Sequence, residues 1–124
     1  MTSGNESIRN GSAKAGVHHW WAQRLSALAL IPLSIWFVSS LVMMPFASYD
    51  TVLEWMSGTF NATALLIMTM SILYHAALGM QVVYEDYIHC ECVKLGFILV
   101  TKFVFLFLAV IAFLSITKVY FLVG

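Results

Sequence analysis

Three long apolar runs separated by short polar stretches organise the chain, at about residues 22–44, 60–83 and 95–121. Crossing a hydrocarbon core about 30 Å thick takes roughly 20 helical residues, so each run is long enough. The runs lack the alternation of barrel strands, and lipid offers no water to the backbone, so three transmembrane helices are predicted. Pro32 lies inside the first of them, where a membrane helix can accommodate a kink. Residues 1–17 read as a polar tail, its first part rich in Gly, Ser and Asn and loosely docked or disordered, and residues 18–124 as one three-helix domain. The first apolar run is too long for a signal-peptide core and is expected to stay in the mature protein.

Composition agrees with a membrane solvent. Of 124 residues, 61% are hydrophobic and 10% charged, against about 25% charged in soluble domains. A water-soluble fold this small could not hide so much apolar surface. Net charge is zero and the basic residues are scattered, which leaves no footprint for nucleic acid. Lipid, and protein within lipid, are the partners implied.

Arg9, Lys14 and Arg24 flank the start of the first helix, and Lys94 and Lys102 the start of the third. The first loop carries Asp50 and Glu54 and no basic residue. The positive-inside rule therefore places the amino terminus and the second loop in the cytoplasm or matrix. Lys118 is the exception, with a stem long enough to snorkel to the outer surface. Trp20, Trp21, Trp55, Tyr84 and Tyr87 fall near predicted boundaries, where amphipathic rings are favoured.

His75 falls near the middle of the second apolar run. An ionisable side chain at that depth is costly and normally faces a protein interior, a cavity or a cofactor. Three readings fit: a structural histidine bonded between helices, a proton relay, or an axial ligand to heme, for which a neutral imidazole suffices. At about 100° per residue, Met68, Ser71, His75, Gly79, Val82 and Asp86 share one helix face within roughly 40°. Gly79, one turn from His75, leaves room for a flat macrocycle or for a neighbouring helix.

Asp86 lies about 16 Å further along the same helix, at the inner edge, beside Glu85 and Tyr87. A solvated helix end is the plain reading of this cluster. A quinone headgroup site is the functional one, because a phenol O–H can donate to a quinone carbonyl and a carboxylate can orient it or relay a proton. At the start of the first helix, His18, His19, Trp20, Trp21, Gln23 and Arg24 are dense in polar and aromatic groups. Interfacial anchoring explains them, and a heme propionate or a docked subunit would be a more specific partner for Arg24. Cys90 and Cys92 have neither disulfide-framework nor C-x-x-C spacing and read as reduced thiols.

The run Gly16-Val17-His18-His19-Trp20-Trp21-Ala22-Gln23-Arg24-Leu25-Ser26-Ala27 resembles the amino-terminal signature of the small membrane-anchor subunits of succinate dehydrogenase, especially in alphaproteobacteria. The run from Tyr74 to Ile88 resembles that family's H-x(3)-G-x(6)-D-Y element, through His75, Gly79, Asp86 and Tyr87. Either motif alone is modest; the two in this order are quite specific, and three helices with an inward amino terminus fit the whole chain. The resemblance implies an all-α half of a six-helix, heme-binding anchor completed by a larger cytochrome b subunit. It implies His75 as an axial heme b ligand, Tyr87 as hydrogen-bond donor to ubiquinone and Asp86 as the adjacent carboxylate. Arg24 and His18 match positions near the heme propionates and the docked iron–sulfur subunit.

The chain has no dinucleotide fingerprint and no cysteine set for a cluster, so a flavoprotein and an iron–sulfur subunit must hold that chemistry. The run His89-Cys90-Glu91-Cys92 stands apart from the family, and because some relatives bind no heme the cofactor assignment rests mainly on the presence of His75. No mitochondrial presequence is evident, which favours the bacterial inner membrane over an organelle. The alternatives are a fumarate reductase anchor, with the same architecture run in the opposite direction, and a small non-redox transport or assembly protein using His75 and Asp86 as a proton path.

Overall fold

The computed structural model describes the backbone of residues 2–124 and side chains from Lys14 onward. Arg9, used above for orientation, lies outside the described side chains. Among the described residues the chain is entirely helical: α1 (Thr2–Val42), α2 (Tyr49–Ser57), α3 (Thr59–Tyr87) and α4 (Glu91–Val123). Three segments are long and apolar enough to cross a membrane: Lys14–Val42, Thr59–Tyr87 and Glu91–Val123. The chain is a multi-pass membrane protein.

The helices outrun the apolar runs that predicted them. At 1.5 Å per residue, the 29 residues of α3 span about 43 Å, more than a hydrocarbon core, so their ends reach the headgroup layers or the helix tilts. Helical hydrogen bonding in α1 extends back to Thr2, well before the first apolar run. It also continues through Pro32, whose missing N–H leaves only the Leu28 carbonyl without its ladder donor. Pro45, which disfavours helical backbone in the residue before it, stands just past the end of α1.

The first loop contains a helix that hydropathy does not announce. Ser48 caps α2, its hydroxyl accepting from the Thr51 N–H at 3.3 Å, and Asp50 sits in the first turn, where a carboxylate favours the helix dipole. Trp55 stacks on Trp36 of α1 with centroids 5.6 Å apart, and Phe60 meets Trp36 edge-on at 6.1 Å. Gly58 ends α2 and begins α3, and the Asn61 side chain donates to the Trp55 carbonyl at 2.8 Å, closing the corner.

The spans pack in a row. Helix α3 packs against both α1 and α4, while the backbones of α1 and α4 do not approach each other among the described residues. Such a row encloses almost nothing: among the described residues the buried ones are Ser26, Ala62, Ala64 and Thr101, all small. Small residues let helix backbones approach closely where lipid supplies no hydrophobic drive. Long apolar side chains such as Leu28, Ile35, Phe103 and Phe107 point outward.

Candidate functional site

His75 stands sixteen residues from the start of α3 and twelve from its end, so about 24 Å and 18 Å from its two termini. It faces α1. Its Nδ1 lies 2.9 Å from the Ser26 hydroxyl, and that hydroxyl also donates to the Gln23 carbonyl at 2.9 Å. The Nε2 atom makes no hydrogen bond among the described residues and is not sealed by its neighbours. The ring is half-buried, with one nitrogen held and the other open. That is the donor arrangement an axial heme ligand requires, since metal-bound imidazoles hold their second nitrogen in a hydrogen bond.

Gly79 also faces α1. A Cβ built there would meet the Gln23 Nε2 atom at 3.9 Å, so the space beside Gly79 belongs to the neighbouring helix rather than to a cavity. His19, Gln23 and Ser26 recur at i, i+4 and i+7, one polar stripe on the face of α1 turned to α3. Two atoms of that stripe, His19 Nε2 and Gln23 Oε1, are buried without a partner among the described residues. The seam between α1 and α3 is thus polar and incompletely satisfied among the described residues.

The other expected site residues lie apart from His75. His18 is exposed and lines an open groove of about 520 Å³ between α1 and α3, together with Trp21, Leu25, Ser26, Ser71 and Tyr74. Arg24, two residues from Ser26 and so about 200° round the helix, faces away from α3. Its guanidinium lies 4.8 Å from the Trp20 ring centroid, a cation–π contact at an exposed position. Asp86 and Tyr87 end α3, both exposed, and neither hydrogen-bonds to another described residue. Glu85, grouped with them above, is occupied by Gln81, which donates to it at 3.0 Å.

Sequence reasoning missed two residues. Ser26 was part of the quoted signature without a role, although its position seven residues after His19 signalled a shared face. Tyr84 was read as an interfacial ring; its hydroxyl instead lies 2.9 Å from Thr101 Oγ1 of α4 and its ring packs against Phe97 at 5.5 Å. Cys90 is the N-cap residue of α4, and it and Cys92 are exposed free thiols.

The model of the succinate dehydrogenase/fumarate reductase transmembrane subunit family matches residues 3–117. A succinate dehydrogenase hydrophobic membrane anchor subunit of Rickettsia bellii is 38% identical over 104 residues, covering 84% of this chain and 82% of that one. Its counterpart in Rickettsia conorii is 35% identical over 105 residues, with 84% and 82% covered. A succinate dehydrogenase membrane anchor subunit of Reclinomonas americana is 32% identical over 81 residues, covering 63% of this chain and 68% of that protein. No solved structure matches the chain. With the two motifs, the three spans and these relatives agreeing, the chain belongs to the succinate dehydrogenase/fumarate reductase transmembrane subunit family, as a hydrophobic membrane anchor of the alphaproteobacterial type.

Proposed function

We propose that this anchor supplies His75 as one axial ligand of a heme b shared with a cytochrome b subunit, and Asp86 and Tyr87 as part of a ubiquinone-reduction site. The observation that carries the reading is the His75 ring near the middle of the apolar helix α3, with Nδ1 bonded to Ser26 and Nε2 open. A bound heme would supply a one-electron redox centre at that depth. The chain's own part is to hold the imidazole through Ser26 and, with the Gln23 side chain lying against α3 at Gly79, to fix where it stands. Arg24 and His18, being exposed, are free to meet the heme propionates or the iron–sulfur subunit once the second anchor is in place.

At the end of α3 the Tyr87 phenol is free to donate to a quinone carbonyl, and Asp86 to orient the headgroup or pass it a proton. Electrons reach that site from a flavoprotein through an iron–sulfur subunit docked on the cytoplasmic face. The basic residues flanking α1 and α4 support this orientation, with an inward amino terminus in a bacterial inner membrane. Family membership removes the non-redox transport reading, while the family itself spans both succinate oxidation and fumarate reduction.

Purification of the complex is expected to bring a flavoprotein, an iron–sulfur protein and a second, heme-binding anchor with this chain. In that complex Tyr87→Phe should lower quinone reduction about tenfold, the value of one lost hydrogen bond of about 1.4 kcal/mol. Succinate oxidation by a soluble acceptor should persist. Equal loss of both activities would contradict a local quinone role.

A further inference from the structure

We propose that Ser26 is a positioning residue that fixes His75 in the tautomer protonated at Nδ1 and so keeps the Nε2 lone pair facing outward from the helix pair. The assignment follows from counting protons. Ser26 Oγ lies 2.9 Å from the Gln23 carbonyl oxygen and 2.9 Å from His75 Nδ1. A hydroxyl has one proton to give and two lone pairs to receive, and a carbonyl can only accept. The Ser26 proton therefore lies toward Gln23, since otherwise two oxygens would face each other at hydrogen-bond distance with nothing between them. Ser26 must then accept from His75, which places the proton on Nδ1 and leaves Nε2 of the neutral ring bare.

The surroundings reinforce the choice. Ser26 is 8% exposed, so its lone pair has little water to turn to, and a lost partner costs more in this low-dielectric seam than at a surface. The bond to Gln23 lies within α1, so the helix that carries Ser26 also orients its Oγ toward His75. The identity of what Nε2 meets rests on the heme reading above; the tautomer rests on the geometry of Ser26 alone. Where that reading holds, an Nδ1–H bonded to an acceptor makes the imidazole a stronger donor, which favours ferric iron and lowers the midpoint potential.

The test has two arms. Solid-state nitrogen NMR of the full chain, with isotope-labelled histidine in phosphatidylcholine bilayers, reads both ring nitrogens of His75, assigned by their loss in His75→Gln. The expected result is a protonated Nδ1 and a bare Nε2, a mixture of tautomers in Ser26→Ala, and the original pattern again in Ser26→Thr. In the assembled complex, Ser26→Ala should retain heme at a raised midpoint potential, and Ser26→Thr should restore it. A proton on Nε2 in the unmodified chain, or tautomer populations that Ser26→Ala leaves in place, overturns the proposal. The expected tautomers together with a heme spectrum untouched by His75→Ala would support the Ser26 assignment and overturn the ligand reading instead.

Discussion

The two seams of α3 are built differently. Toward α4, Tyr84 and Thr101 satisfy each other across the interface and the Tyr84 ring packs on Phe97. Toward α1, His75 uses one nitrogen on Ser26 and keeps the other open, while His19 and Gln23 bury polar atoms without partners among the described residues. A polar group left unsatisfied in lipid costs free energy that packing must offset. The α4 seam therefore reads as glue, of the hydroxyl type that membrane helices use for association. The α1 seam keeps one open donor atom, His75 Nε2, on which the proposed heme ligation rests.

That contrast is sharpest under substitution of its central residues. His75→Leu should abolish the heme absorbance of the purified complex, whereas Tyr84→Leu should leave it, because the groove lined by Tyr84 and Lys102 lies on the opposite face of α3. Loss of heme in both would merge the seams into one folding unit. Gly79→Leu comes next: a bulky side chain against Gln23 should overpack the α1 seam by about 1–3 kcal/mol, read as a lower thermal midpoint, while Gly79→Ala, whose Cβ has 3.9 Å, should be tolerated. The smallest effect should be Tyr84→Phe, about 0.6 kcal/mol for one interhelical hydroxyl bond, with an unchanged heme spectrum.

Much of this was legible in the sequence, for identifiable reasons. The three spans follow from long, predominantly apolar runs, and His75 stands out because a lone imidazole inside such a run has few places to go. Helix α2 was not legible: its nine residues mix polar and apolar positions, and its stability comes from the Ser48 cap and from Trp55 on Trp36, a contact nineteen residues away in the chain. Helix-face geometry placed Gly79 beside His75, but only the packing of α1 shows that Gln23 lies against it. His18 and Arg24 stood together in one signature, although six residues of helix turn them about 120° apart, onto different faces. The sequence offers no means of seeing which nitrogen of His75 is held, because that depends on a partner forty-nine residues earlier.

Electron paramagnetic resonance of the oxidised, purified complex addresses the central claim most directly, because the iron signal reports the identity of its axial ligands. With His75 as one of them, the native complex should give a signal that reports imidazole ligation, and His75→Met should change that signal or eliminate the heme. An identical signal before and after the substitution would show that the iron is held elsewhere and that the open nitrogen of His75 has another use.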